Sequence, residues 1–262
     1  MRKAVPSSIP VLVTGASSGI GAEFARGFAA RGHDVTIVAR RADRLEELAG
    51  ELRDRHGVAV DPVVADLEAA RGRSAVVKSL RLRDGWILVN NAGFGTRGRL
   101  ADLDATRERA EVQLNVAALH ELTLAVLPGL LRSGGGGVIN VASTAAFQPL
   151  PFMATYAATK SFVLSFTEAL AEELRGTEVR AMALCPGPVR TEFGDVAGVR
   201  DYMEMARPMS AQKCVAIALR AFDRGSAICI PGALNAALAQ GPRLAPRLAV
   251  RKVSAAIFQP RG

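Results

Sequence analysis

The sequence predicts an α/β fold, a doubly wound parallel sheet of seven strands with helices on both faces. Short β-rich runs alternate with amphipathic stretches, a glycine-rich turn follows the first run, and polar motifs recur at the ends of later runs. A parallel sheet covered on both faces needs near-continuous apolar strands joined by crossover helices, which is the alternation seen. With 262 residues, 49% of them hydrophobic, the chain can build one large core, and no compositional break divides it.

The strands are expected at Ile9 to Thr14, Val35 to Ala39, Val58 to Val64, Trp86 to Asn90, Val138 to Ala142, Val179 to Cys185 and Ala227 to Ile230. Helices fill the gaps. After the second strand Leu45, Leu48, Ala49 and Leu52 form one apolar stripe, and Gly57 ends that helix. Longer helices, from about Ala101 to Leu131 and from Ala154 to Arg175, are apolar over more than one face, as expected of a homodimer or homotetramer, although core burial explains part of the pattern. The apolar stretch from Leu114 to Leu131 is interrupted by His120, Glu121 and Pro128, so no integral membrane span is expected. Arg2 and Lys3 precede an apolar run, Ile9 to Val13, that is too short for a signal peptide, and a cytoplasmic location is expected.

Three widely spaced cysteines, Cys185, Cys214 and Cys229, give no disulfide framework and no CxxC pair, so buried thiols are expected. His33, His56 and His120 show no ligand spacing, and no metal is expected. The net charge is +8, yet Arg224, Arg243, Arg247, Arg251, Lys252 and Arg261 follow Asp223 with no acidic residue among them. Basicity is therefore concentrated at the C-terminus. No groove-reading motif or stacking row accompanies it, which argues against nucleic acid as a partner.

Gly15, Gly19 and Gly21 lie between the first strand and first helix in Thr14-Gly15-Ala16-Ser17-Ser18-Gly19-Ile20-Gly21. Missing side chains there let backbone amides approach a pyrophosphate at the positive end of a helix, although the spacing is TGxxxGxG rather than GxGxxG and an ordinary tight turn would use the same glycines. The same residues spell GxSxG, the nucleophile elbow of hydrolases, but no strand and helix precede them to supply an oxyanion hole. About twenty residues on, where a carboxylate would bind the ribose hydroxyls of NAD, the chain has Ala39-Arg40-Arg41. Two planar guanidinium groups suit a 2′-phosphate, so NADP(H) is expected over NAD(H). Asp66, just past the third strand, is placed to receive an adenine amino group or to cap a helix.

Tyr156 and Lys160 stand one helical turn apart. A phenol titrates near 10, so acting near neutrality requires the phenolate to be favoured by about three pKa units, roughly 4 kcal/mol. An ammonium about 4 Å away supplies on the order of 4 kcal/mol at an effective dielectric of about 20. Ser143 ends the fifth strand and can reach the same cleft, where its hydroxyl would polarise a carbonyl oxygen. Asn90 and Asn91 alone also fit ordinary turn formers at a strand end.

Together TGASSGIG at Thr14 to Gly21, NNAG at Asn90 to Gly93, Asn115, Ser143, YAATK at Tyr156 to Lys160 and PGPVRTEF at Pro186 to Phe193 resemble the short-chain dehydrogenase/reductase family of the single-domain type, from about Ile9 to Pro231. That resemblance implies an NAD(P)-dependent carbonyl reductase. Tyr156 would be the general acid in ketone reduction, Lys160 would lower its pKa and grip the nicotinamide ribose, and Ser143 would steady the substrate oxygen. It also implies that Asn115 holds a water of the proton relay, that Asn90 to Gly93 (Asn91, Ala92 and Gly93 included) line the adenosine side and brace the sheet, and that Pro186, Gly187 and Thr191 contact the nicotinamide end. Gly15, Ser17, Ser18, Gly19, Ile20 and Gly21 would cradle the phosphates. The chain departs from some NADP-using relatives in having serines where they carry an extra basic residue in the glycine loop, leaving the preference to Arg40 and Arg41. The basic, leucine-containing tail resembles that of the long-chain 3-oxoacyl and hydroxysteroid reductase branch.

The expected organisation is an N-terminal tail over 1–8, a single dinucleotide-binding catalytic domain over 9–232, and a basic extension over 233–262 packing on the domain or on a neighbouring subunit. Phe147, Leu150, Pro151, Phe152, Met153, Phe193, Tyr202, Met203, Met205 and Met209 are candidate walls for an apolar ketone such as an acyl chain, steroid or polyketide; lid packing or subunit contact would use the same residues. Two other classes stand beside a reductase of a small-molecule carbonyl or alcohol. A non-catalytic NADPH-binding sensor on this fold could dispense with Tyr156 and Lys160, whose presence argues for chemistry. A membrane-surface protein is suggested by Leu244, Leu248, Val253, Ile257 and Phe258 among basic residues, but Pro242 and Pro246 interrupt that stretch and favour a docked element.

Overall fold

The computed structural model describes residues 5–260; the first four residues of the tail, with Arg2 and Lys3, and Arg261 lie outside the described residues. The strands are β1 Val11–Thr14, β2 Val35–Ala39, β3 Val60–Val64, β4 Ile87–Asn90, β5 Gly137–Val141, β6 Arg180–Leu184, β7 Val189–Arg190, β8 Met209–Ser210 and β9 Ile228–Cys229. Seven of them form one sheet in the order β3-β2-β1-β4-β5-β6-β9, every pair parallel. The expected doubly wound, Rossmann-type α/β architecture is the one found. The order reverses between β1 and β4, so their carboxyl ends open the crevice in which such sheets bind ligands.

Strand residues feed the two faces alternately. Val11 and Val13 join Phe24, Phe28, Leu45 and Phe222 in one core layer, while Leu12 joins Leu80, Leu88, Leu122 and Val138 in the other. The helices that supply these layers are α1 Gly19–Ala29, α2 Ala42–His56, α3 Ala70–Arg81, α4 Ala105–Val112, α5 Leu119–Ser133 and α6 Ala154–Glu173. They continue as α7 Phe193–Val196, α8 Arg200–Met205, α9 Ala211–Asp223, α10 Ala233–Leu244 and α11 Arg247–Phe258.

A π-helical segment, Gln113–Ala118, joins α4 to α5, so Ala105–Ser133 runs as one helical stretch. That stretch is long and apolar enough to cross a bilayer by length and composition, yet Leu119, Leu122, Val126 and Leu130 sit in the protein core. The small parallel pair of β7 with β8 is unexpected, because two residues per strand leave no periodicity to read. Cys185, Cys214 and Cys229 are free and buried.

Beyond the sheet, Pro246 separates α10 from α11, and both helices fold back across the crevice. Arg97 fastens the end of α11 to α8: its guanidinium donates to the Phe258 carbonyl at 2.8 Å, to the Gln259 carbonyl at 3.0 Å and to Asp201 at 2.6 Å. Of the apolar tail residues, Leu244, Leu248, Val253 and Ile257 are exposed, the last two at the border of the crevice, and Phe258 is buried against it.

Candidate active site

A cavity of about 820 Å³ lies beyond the carboxyl ends of the strands, bounded by the glycine loop, α6, the segment after β6 and the two C-terminal helices. Gly15 and Gly19 adopt left-handed backbones at φ +65° and +56°. At Gly21 a Cβ would lie 2.3 Å from the Gly15 carbonyl oxygen and 2.5 Å from Asn91 Nδ2, so only glycine fits. Gly21 thus packs beneath the loop, while Gly15, Ser17, Ser18, Gly19 and Ile20 line the cavity.

The Thr14 hydroxyl accepts from the Asn91 and Ala92 amides, both at 3.0 Å, and Asn91 Nδ2 donates to the Thr14 carbonyl at 2.9 Å. These bonds lock the loop to the end of β4. At the start of α1, Ser18 makes no side-chain cap and the first turn holds no acidic residue, which leaves a positive helix end facing the cavity. A Cβ-free cradle beside uncapped amides fits a dinucleotide pyrophosphate.

Arg40 and Arg41 diverge. Arg41 donates to Ser17 Oγ at 2.9 Å and to Ser18 Oγ at 3.0 Å, so it brings a cation to the loop position where the sequence has none. It also pairs with Glu192 at 2.8 Å, joined there by Arg44 at 2.5 Å, and the Arg41 hydrogen bond holds the Glu192 carboxyl below the usual range. Arg40 pairs with Glu68 at 2.8 Å. Asp66 Oδ1 accepts the Glu68 amide at 3.0 Å, closing a turn, and both acids line the cavity beside Arg40. Sequence reading missed Glu192 and Arg44 because their partner is 148 or more residues away.

Tyr156, Lys160 and Ser143 share the same cavity. Tyr156 is 9% exposed and Lys160 6%. Burial pushes the phenol up to about 12, against a lowering hydrogen bond with Ser143, and pushes the Lys160 amine down to about 8. The amine donates to the Val141 carbonyl at 2.8 Å and stands 5.7 Å from the centre of the phenol ring. Desolvation thus disfavours both charged forms, where the sequence expectation was a phenol acidified by its neighbouring ammonium.

Asn115 sits in the π segment and is 1% exposed. Its amide donates to the Phe94 carbonyl at 2.9 Å and to Thr159 Oγ1 at 3.1 Å, and its carbonyl accepts the Phe94 amide at 3.1 Å. Both amide hydrogens thus serve the protein. Behind it, Thr96 Oγ1 contacts Glu108 Oε1 at 2.5 Å and Glu111 Oε2 at 3.0 Å, and Thr155 donates to the other Glu108 oxygen. Sequence reading missed this cluster; its only signal was a glutamate one turn before Asn115 on an otherwise buried helix face.

Asn91, Ala92 and Gly93 line the cavity, as do Pro186, Gly187 and Thr191. Asn90 does not: it is buried in the sheet, where its amide donates to Asn140 Oδ1 at 2.9 Å and Thr123 Oγ1 at 3.1 Å. A Cβ at Gly187 would strike Asn235 of α10 at 2.6 Å, so the C-terminal helix packs directly on the PGP turn. Of the candidate apolar wall, Leu150, Met153, Phe193, Tyr202 and Met203 line the cavity. Phe147, Pro151, Phe152, Met205 and Met209 do not, since a loop of alternating apolar residues cannot turn all of them one way. Leu238, Val253 and Ile257 complete the wall from the tail. Among the described residues no group of three or more His, Cys, Asp or Glu is placed to hold a metal ion.

The description "short chain dehydrogenase" belongs to the family that matches residues 10–198. Sulfoacetaldehyde reductase 2 of Chromohalobacter salexigens is 38% identical over 187 residues, 70% of this chain and 73% of that protein. For some other curated relatives the chain spans only about three fifths of their length, 60% and 61%. A short-chain dehydrogenase from Sphingobium yanoikuyae, solved in complex with NADPH, superposes with a TM-score of 0.82 at 38% identity, covering 90% of this chain and 93% of that one. The bulky-bulky ketone specific alcohol dehydrogenase from Comamonas testosteroni superposes with a TM-score of 0.79 at 31% identity, covering 98% of each chain.

Proposed function

The chain belongs to the short-chain dehydrogenase family and is an NAD(P)-dependent oxidoreductase, and from that premise we propose that it reduces a bulky apolar ketone using NADPH. One observation supports this reading above the others: the glycine cradle, Tyr156 and an apolar wall share one cavity of about 820 Å³. When bound, the nicotinamide supplies the hydride.

The chain's own residues supply the rest. Tyr156 gives its proton to the carbonyl oxygen; with the phenol near 12 it holds that proton at neutral pH, ready to donate. Ser143, which lowers the phenol's pKa against its burial and lines the same cavity, orients the same oxygen. Lys160, near 8, is charged at neutral pH and offsets the phenolate left behind. Arg41 and Arg40 favour the 2′-phosphate of NADPH, and Asp66 faces the adenine end. Gly15, Ser17, Ser18, Gly19, Ile20, Asn91, Ala92, Gly93, Pro186, Gly187 and Thr191 hold the dinucleotide, and Gly21 lets the loop close.

A homodimer or homotetramer fits the solvent-facing apolar residues Leu124, Leu131 and Phe162 on α5 and α6. Light scattering at the mass of one chain would overturn it. We place the enzyme in the cytoplasm. The deciding experiment is NADPH oxidation across a panel of ketones of graded apolarity, with Tyr156→Phe alongside. Activity that rises with apolarity and vanishes in the variant supports the reading, a preference for sugars or polyols removes the apolar substrate, and NADPH binding with no turnover points to a sensor.

A further inference from the structure

Arg97 is a charged residue near the reacting groups that the chemistry itself does not use. Its side chain is 6% exposed and does not line the cavity. A guanidinium has five N–H donors, and here all five are engaged. Nε donates to the Phe258 carbonyl at 2.8 Å, one terminal nitrogen to Asp201 Oδ1 at 2.6 Å and the Gly198 carbonyl at 3.1 Å, and the other to Asp201 Oδ2 at 3.2 Å and the Gln259 carbonyl at 3.0 Å. The two-pronged pair with Asp201 fixes the plane of the group. Two of the remaining donors meet the last carbonyls of α11, which have no partner within the helix and stand at its negative end.

The base of this tie is held as firmly as its tip. Phe94 exchanges hydrogen bonds with Asn115, the Thr96 hydroxyl meets Glu108 and Glu111, and the Gly98 amide donates to the Phe152 carbonyl at 2.9 Å. Gly95, in the same loop, lies so close to the phenol that a Cβ would stand 2.9 Å from Tyr156 Cδ2. At the far end Phe258 packs on Tyr202 with ring centres 4.8 Å apart, in a cluster with Leu150, Met153 and Tyr156. Tyr202 and Met203 of α8 and Val253 and Ile257 of α11 border the cavity on that side. One side chain thus joins the loop that passes the phenol to both elements of the opposite wall.

We propose that Arg97 is a specificity-determining positioning residue: by holding α8 and the end of α11 at a fixed distance from Tyr156, it sets the size of ketone that fits between them. The proposal rests on the ketone-reductase reading and deepens it. Arg97 touches neither ketone nor dinucleotide, so it acts only on the part of the substrate remote from the carbonyl. A bulky ketone spans the space from phenol to tail and needs both walls in place at once. A small one is held near Ser143 and Tyr156 and does not reach the tail. Without the tie the ligand itself would have to order the wall, and that ordering cost falls on the bulky ketone alone.

The test uses the full chain with Arg97→Met, which keeps the length of the side chain and removes every donor, with Arg97→Lys, and with Asp201→Asn as a milder cut on the α8 side. Arg97→Met should raise KM for the bulkiest ketone of the panel about tenfold, while kcat, the KM of the smallest ketones and the Kd for NADPH stay within about twofold of wild type. Arg97→Lys keeps the charge without the planar fork and should recover only part of the difference. Without any ketone, amide hydrogen exchange in α11 should quicken in Arg97→Met while β1 and α1 keep their wild-type rates. Equal rises for small and bulky ketones, a fall in kcat alone, or unaltered exchange in α11 overturns the proposal. If Arg97→Met does not fold, Asp201→Asn carries the same comparison, and a wild-type KM for the bulkiest ketone in that variant overturns it too. Calorimetry with NADP+ present measures binding of the same ketone apart from turnover. Wild-type protein that binds it without reducing it sinks the reductase reading alone, unchanged affinity in Arg97→Met sinks the size selection alone, and no binding to the wild type sinks both.

Discussion

The two ends of the cleft are built from different materials. At the nucleotide end the contacts are backbone: a loop with glycines at φ +65° and +56°, a buried Gly21 with no room for a methyl, and strand ends laced by Thr14 and Asn91. At the substrate end the surface is side chains, Phe193 and Met203 from short helices and Leu238, Val253 and Ile257 from the tail. A backbone cradle admits few alternatives, because each added atom meets another backbone atom. A side-chain wall can be rebuilt residue by residue without disturbing the sheet beneath. The first end therefore sets what all substrates share, and the second sets which substrate is taken.

Between those ends stands Tyr156, and replacing it gives the largest expected effect. Tyr156→Phe should lower kcat about 10³-fold or more while the Kd for NADPH changes little, as read by stopped-flow turnover and fluorescence titration. A comparable loss of NADPH binding would mean the two ends are not separable. Next comes Gly21→Ala, whose new methyl would meet the Gly15 carbonyl at 2.3 Å. A cost of about 3 kcal/mol, seen as a lowered denaturation midpoint and weakened binding of NADPH with every ketone alike, is expected. Stability within about 0.5 kcal/mol of wild type would show that the cradle tolerates a side chain.

Arg41→Ala should cost about 10- to 100-fold in NADPH affinity and leave NADH binding nearly unchanged, since it removes a charged hydrogen-bond donor set at the loop serines. Equal losses for both dinucleotides would assign Arg41 to holding the loop and Glu192 rather than to choosing the phosphate. The smallest effect is on the opposite wall. Met203→Ala should reduce kcat/KM about tenfold for the bulkiest ketone of the panel and less for small ones, with NADPH affinity intact. A uniform loss across the panel would place Met203 in lid packing.

This division also governs what is legible in the sequence alone. Gly15, Gly19 and Gly21, Asn91 and the Tyr156–Lys160 turn are legible because local backbone geometry and a one-turn spacing restrict which residue can stand there. Apolar runs place the seven sheet strands to within two residues at either end, while the pairing of β7 with β8 is not legible, each strand being only two residues long. Arg41 was identified as basic, but its bridge to Glu192 depends on tertiary folding across 151 residues. Lys160 was read from spacing as an acidifier, and spacing carries no information on desolvation, which dominates once both groups are buried. The walls from α10 and α11 were hidden for the same reason: amphipathic sequence says that a face is covered, not what it covers.

The π segment at Gln113–Ala118 fits surplus chain into the helix that carries both Glu111 and Asn115. Each α-helical residue advances the azimuth by about 100°, so trimming that surplus by a single amino acid would spin everything on its N-terminal side by nearly a third of a revolution. Leu122 and Leu130 would keep their seats against the sheet while Glu111 swung away from Thr96. The helix thus works as a phase shifter, letting the half that packs and the half that meets Thr96 each point where it must.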